Sequence, residues 1–403
     1  MAAREPAPLR HLRRWVSRGY QPGTTWDRPV RFVLADGRVV DKLADLPDPA
    51  PGTAGGVARL AFVLPTHLRR DDADGHRTWF REVLEQLGQV PETVPEVSVV
   101  VLVGMQWMRP EEEAEATERL RALAELTGLT GPTGPTGPTG ERPAVGFVGL
   151  SLPGPGKVST LNAGIAVADA LGLTAVGWLD DDVRLEPGCL ANLVRDFRRH
   201  GYRGAVGATK IPHARPYVTS RLLHRAKALT ETATSYPHGC CILVERSVVS
   251  GGIPDRYVCD DGYVCFRLLD PDHPDALHQL RLVPDARCHY GVAGPARQSR
   301  RRIRRLLLNH VIYLADWSYP VSRHYFRHIL FPGMWPLTDF DGSAGRGRGA
   351  AKSAITWIYF AWFGRTAAEL YLRGLFRRPL REVRWAEFAG PGSPHHSLTE
   401  ASA

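Results

Sequence analysis

The six cysteines of this 403-residue sequence include no pair at C-x-x-C spacing, which leaves no zinc ribbon and no dithiol redox motif to argue from. They read as reduced and mostly structural. The first residues carry arginines and prolines but no apolar stretch of signal-peptide type, and a cytoplasmic location is expected. A Walker phosphate loop is missing as well. In SLPGPGKV, Ser151 stands where G-x-x-x-x-G-K-[ST] needs its first glycine, and Val158 follows Lys157.

What is present is an ordinary globular composition, with 43% hydrophobic and 23% charged residues, enough for one large or two moderate domains. Lys and Arg outnumber Asp and Glu by 51 to 42. Much of the excess sits in an N-terminal arm (Arg4, Arg10, Arg13, Arg14, Arg18) and in RRRIRR at 300–305, which favours anionic partners. As a nucleic-acid surface the latter is short and lacks interleaved aromatics, and no nucleic-acid partner is expected. Heavy use of Arg, Gly, Pro and Ala resembles the coding bias of a GC-rich bacterium.

Residues 1–55 are basic, then rich in Pro, Gly and Asp, with one hairpin-like piece, RFVLADGRVVDKL, turning at Asp36-Gly37. From Val57 the pattern becomes strand and helix in alternation: LAFVLPT, the helical TWFREVLEQL, VSVVVLVG, a Glu-rich helix over 111–126, AVGFVGL, VSTLNAGIAVADALG and AVGWL. That alternation predicts an α/β fold with a mainly parallel Rossmann-like sheet. GPTGPTGPTG at 131–140 has far too few triplets for a collagen helix and reads as a stiffened surface loop. Beyond Arg300 the chain reads as helical, and its aromatic, Arg-flanked piece SAITWIYFAWFGRTAAELYLRGLFRR is too short in its apolar core to span a bilayer. A packed helix is the favoured reading there, with interfacial placement at a membrane as the alternative.

Three carboxylates in a row, Asp180, Asp181 and Asp182, follow the AVGWL strand. If the strand runs on, Asp180 and Asp182 share a face and Asp181 points away, to a basic side chain or a backbone N–H. Ligands bind at the carboxyl ends of parallel strands, where two carboxylates make a hard oxygen site for Mg2+ or Mn2+. The bland alternative is a solvated acidic loop. Lys157 and Asn162, one helix upstream, are expected at the same rim beside a diphosphate. Asp260 and Asp261 in YVCDDGYVCFRL read as a helix N-cap, as a site pair, or as both; a carboxylate of modestly raised pKa there would act as general base.

The order of these segments resembles that of family 2 glycosyltransferases, with their nucleotide-diphosphosugar transferase (glycosyltransferase A) fold. FVLPTH resembles the first strand, whose Pro65-Thr66 would contact the nucleotide. GKVSTLNAGIAVA resembles the G-K-x-x-x-L-N-x-G segment, LDDDVRLEPGCL the D-x-D strand end, and YPHGCCILVERSVV the segment whose glycine, Gly239, lines the acceptor side. CDDGYVCFRL matches E-D-x-x-x-x-x-R-L with Asp260 at the Glu, and QSRRR resembles Q-x-x-R-W with Gln298 and Arg301 in place and Arg302 where Trp is expected. The resemblance covers residues 57–310.

It implies an inverting, metal-dependent transferase that moves a sugar from a nucleotide-diphosphosugar, expected to be UDP-linked, to an acceptor hydroxyl. Asp261 would be the base. Pro65, Thr66, Lys157, Asn162, Asp180, Gln298 and Arg301 would bind the donor, Asp180 and Asp182 the Mg2+ or Mn2+, with Gly239 and Asp260 on the acceptor side. Val103, Gly104 and Met105 stand where an acidic base-reading residue is common, and the missing Trp favours single addition over processive synthesis. The expected organisation is an arm over 1–55, a catalytic domain over 56–310 and a helical extension over 311–403. The acceptor is open among small molecule, lipid phosphate, peptide and glycan, with peripheral contact at the inner face of the membrane as the attached expectation. The non-catalytic alternative is a membrane- or nucleic-acid-binding adaptor on a degenerate transferase scaffold.

Overall fold

The computed structural model describes residues 29–47, 58–68, 73–127, 145–214 except 155, 236–292 except 255 and 258, 296–325, and isolated positions outside these ranges. The Gly-Pro-Thr repeat, most of the basic arm and nearly all of the extension beyond residue 325 lie outside the described residues.

The strands are β1 (Arg31–Leu34), β2 (Val39–Val40), β3 (Ala58–His67), β4 (Val97–Trp107), β5 (Val145–Pro153), β6 (Ala175–Leu179), β7 (Val183–Leu185), β8 (Ala205–Ala214), β9 (Cys241–Glu245) and β10 (Leu280–Val292). They form one 10-stranded sheet in the order β2-β1-β5-β4-β3-β6-β9-β8-β10-β7. The contiguous strands β5, β4, β3 and β6 pair in parallel, and β8 pairs in parallel with β10. Strands β1, β7 and β9 run against them. The hairpin of the first 55 residues is part of this sheet, because β1 pairs with β5 from Arg31↔Ser151 to Leu34↔Val148.

Period-two burial divides the core between the two faces. Ala61 and Val63 of β3 join one apolar cluster with Leu161, Ile165, Phe266 and Ile312. Leu60, Phe62 and Leu64 join the other with Phe80, Leu120 and Phe197. The first face is covered by α3 (Lys157–Ala170), α6 (Asp260–Leu268) and α7 (Ala296–Asp316), the second by α1 (Ala73–Thr93), α2 (Glu113–Leu126) and α4 (Cys189–Arg199); α5 (Arg246–Val249) and α8 (Tyr319–His324) are short. The result is a mixed α/β fold with helices on both faces of a mainly co-directional sheet.

Sequence pattern missed β10. Pro284 interrupts its apolar run, and the ladder with β8 shifts register between Val283 and Arg287; proline is tolerated in a strand where a bulge removes the need for its N–H. Among the described residues no helix is long and apolar enough to cross a membrane.

Candidate functional site

The carboxyl ends of β3, β4 and β6 open towards the first turn of α3. That turn lies directly on β4 at Gly104, where a Cβ would collide with the side chain of Thr160. Gln106, two residues on and on the same face, clamps it: Nε2 donates to the Gly156 carbonyl at 2.5 Å and to Thr160 Oγ1 at 2.8 Å, and Oε1 accepts from Gly156 N at 3.2 Å. Gly156 sits at φ 138°, a conformation only glycine adopts readily. These contacts fix Lys157, the first residue of the helix.

Lys157 Nζ lies 2.6 Å from Asp180 Oδ1 and 3.2 Å from Asp260 Oδ2, and donates to the Gly239 carbonyl at 2.6 Å. An ammonium has three protons, and three protein acceptors take them. Burial works against its charge, but Asp180 and Asp260 outweigh burial and raise the Lys157 pKa. One cation cannot neutralise both acids. Burial therefore lifts the Asp180 carboxyl against the pull of Lys157, with Asp182 and Asp260 adding to the rise. The same opposition of burial and Lys157 leaves Asp260 raised.

The acidic triplet corrects one expectation. Strand β6 ends at Leu179, and Asp181 and Asp182 lie in a turn, so strand alternation does not govern them. The turn is pinned by Asp180 N donating to the Cys240 carbonyl at 2.9 Å and by Trp79 Nε1 of α1 donating to the Val183 carbonyl at 2.8 Å. Asp180 faces Lys157, whereas Asp181 accepts a 3.0 Å hydrogen bond from Thr66 Oγ1 at the end of β3. One of its partners is thus a hydroxyl of the expected donor rim. Asp182 is exposed.

Asp260 and Asp261 open α6, where the helix dipole favours negative charge. The N-cap position belongs to Cys259. Helix α7 holds that residue from beneath: Asn309 Oδ1 accepts from Cys259 N at 3.2 Å, and Tyr313 Oη donates to its carbonyl at 3.0 Å. Asp260 is buried against Lys157 and buttresses the lysine. Asp261 accepts from Gly262 N at 2.8 Å through Oδ1, and through Oδ2 from Gly239 N at 3.3 Å with His238 Nδ1 also at 3.3 Å. Burial pushes this carboxyl up, yet His238, Lys210 and the Gly239 N–H hold it well below the usual carboxylate range. The expected modest rise is therefore not found at Asp261: the rise falls on Asp260.

Of the other expected site residues, Asn162 does not reach the rim. It is buried in α3, where Nδ2 donates to the Ile253 carbonyl at 2.8 Å and Oδ1 accepts from Ile253 N at 2.7 Å. Pro65 is half-buried beyond the β3–β6 ladder, which ends at Val63↔Trp178, so its missing N–H costs no pairing with β6. Gln298 and Arg301 lie in the opening turns of α7, and their side chains are outside the described residues. Residues that sequence reading passed over include Gln106, His238 and Lys210, whose Nζ stands 4.9 Å above the Tyr290 ring. A cation within the strand that follows α4 and a histidine beside Gly239 were the available signals.

Among the described residues no group of three or more His, Cys, Asp or Glu side chains is arranged to hold a metal ion. Mg2+ is commonly held by one or two carboxylates and completed by water and phosphates. Asp182 stands near enough to Asp180 to raise its carboxyl, so the two would offer that oxygen set, with one Asp180 oxygen already on the Lys157 ammonium.

No protein-family model matches the chain, and no curated protein matches it. Among solved structures it is similar to the mannosyltransferase PcManGT of Pyrobaculum calidifontis in complex with GDP-Man and Mn2+, at 19% identity and TM-score 0.42 over 82% of this chain and 90% of that one. It is similar also to S. aureus TarS, at 11% and 0.33 over 73% and 50%. A mycobacterial protein follows at 16% and 0.32 over 72% and 84%.

Proposed function

We propose that the chain is a metal-dependent inverting glycosyltransferase that moves a sugar from a nucleotide-diphosphosugar to an acceptor hydroxyl, one addition at a time. One observation carries the reading: at the carboxyl ends of parallel strands, Asp180 and Asp260 converge on Lys157, and Asp261 is tied to the same cluster through Gly239. A solvated acidic loop has no need of a buried lysine.

Asp180 and Asp182 would hold Mg2+ or Mn2+, which would supply positive charge to the departing diphosphate. Thr66, ordered by Asp181, borders the donor side. Asp261, held ionised, receives the acceptor proton; being a weak base, it does so late, as the acceptor oxygen bonds to the anomeric carbon and becomes acidic. The strong excess of carboxylates over lysines in the cluster suits a divalent cation.

A thermal-shift screen against UDP-, GDP- and dTDP-sugars with and without Mn2+ tests this, since a ligand of the native state raises the midpoint. A metal-dependent shift that disappears in Asp182→Ala is expected. No shift with any donor, or a shift indifferent to metal and to that substitution, would refute the metal and donor roles. Near-normal turnover by Asp261→Asn would remove the base assignment.

A further inference from the structure

We infer that His238 is a positioning residue for Asp261, and that with Gly239 it occupies Oδ2 so that the acceptor proton passes to Oδ1. This rests on the proposed transferase reading for its catalytic meaning, though the geometry stands independently.

An ionised carboxylate only accepts hydrogen bonds, so the nitrogen that faces it, Nδ1, carries the proton. Nε2 of the same ring is buried. The imidazole therefore has no open nitrogen to offer an acceptor hydroxyl, which excludes it as the base and leaves it acting through Asp261. Its ring is steadied by Tyr236 at a centroid distance of 5.3 Å, and Tyr236 Oη lies 3.3 Å from Tyr325 Oη. Each carboxylate oxygen has about two lone-pair sites. Among the described residues, both on Oδ2 are taken, by Gly239 N and His238 Nδ1, each at 3.3 Å, and one on Oδ1, by Gly262 N at 2.8 Å. The site left for an incoming proton is on Oδ1.

The test compares His238→Leu, His238→Asn and His238→Gln. Asparagine places an N–H near the position of Nδ1, and glutamine places it near Nε2. The leucine variant is expected to lose roughly 10- to 100-fold in kcat with donor KM unchanged, as loss of orientation at a reacting group does. Asn should recover most of that loss and Gln little. A second reading needs no activity: carbon-detected NMR of the aspartate side chains should show the Asp261 pKa rising in His238→Leu and falling back in His238→Asn. Equal turnover in wild type and His238→Leu, or rescue by Gln as good as by Asn, overturns the inference, as does an Asp261 titration that does not move. A moved titration in a protein that transfers no sugar would sustain the positioning role and sink the transferase reading.

Discussion

Replacing Lys157 with methionine keeps the volume of the side chain and removes its charge. In the folded protein this strands two carboxylates, Asp180 at 2.6 Å and Asp260 at 3.2 Å from the former Nζ, and leaves the Gly239 carbonyl without its donor. At an effective dielectric constant of about 20, a charge pair at that shorter distance is worth about 6 kcal/mol before desolvation. Releasing the ammonium from its buried position returns part of this, and removing one partner of a buried pair costs about 3–5 kcal/mol net. For a domain of this size that is a fall of roughly 6–20 °C in the thermal midpoint. The freed carboxylates then have room for a divalent cation without any donor, so Mn2+ at about a hundred times its Kd should return about 2.7 kcal/mol. Differential scanning calorimetry of both proteins, with EDTA and with Mn2+, reads each step. An unchanged midpoint in EDTA would refute the buried triad, and a variant that Mn2+ fails to stabilise more than wild type would refute the competition between lysine and metal.

Gly239→Ala should unfold more easily by about 1–3 kcal/mol, as overpacked sites do, because its Cβ would press on the Asp260 carboxylate, 3.0 Å from Cγ and nearer still to an oxygen; urea midpoints check this. Asp181→Asn keeps an acceptor for Thr66 Oγ1 and should leave donor affinity within about threefold of wild type, within the few tenths of a kcal/mol of a conserved hydrogen bond, whereas Asp180→Asn should weaken metal-dependent donor binding far more in the same titration. Glu245 is pushed up by burial, but bonds from Ser247, the Gly204 N–H and Arg203 outweigh this and lower its pKa below 4.5. A folded-state pKa below the unfolded value adds stability above it and loses that stability as pH falls through the folded value. Glu245→Gln should therefore be less stable than wild type at neutral pH by about 1 kcal/mol or less, with the gap closing under acid in urea titrations.

The central strands were legible because both their faces are buried and their apolar runs are unbroken; β6 is the AVGWL segment itself. Strand β10 was not, since proline and aspartate at its bulge look like a loop. The site was legible as a set of carboxylates but not in its wiring. Asn162 looked like a ligand residue because it sits one helix upstream of the acidic triplet in a segment that resembles a donor-side motif, yet an amide can also pair with backbone, and here it binds both the C=O and the N–H of Ile253. Likewise, adjacent aspartates in the sequence cannot reveal that Asp260 turns in to Lys157 while Asp261 turns to His238, because lysine and histidine arrive from segments far away in the chain.

Gly239 binds Lys157 with its carbonyl and Asp261 with its N–H. The Lys157–Asp180 half of the cluster and the Asp261–His238 half therefore hang on a single residue of backbone, like two pans on one beam. Any tilt of that beam moves both pans, so a substitution that shifts the Gly239 backbone cannot retune one half alone. Under the proposed function, selectivity for a new acceptor would be sought on the Lys210 or Tyr236 side, whose electrostatic coupling to Asp261 does not run through the shared support.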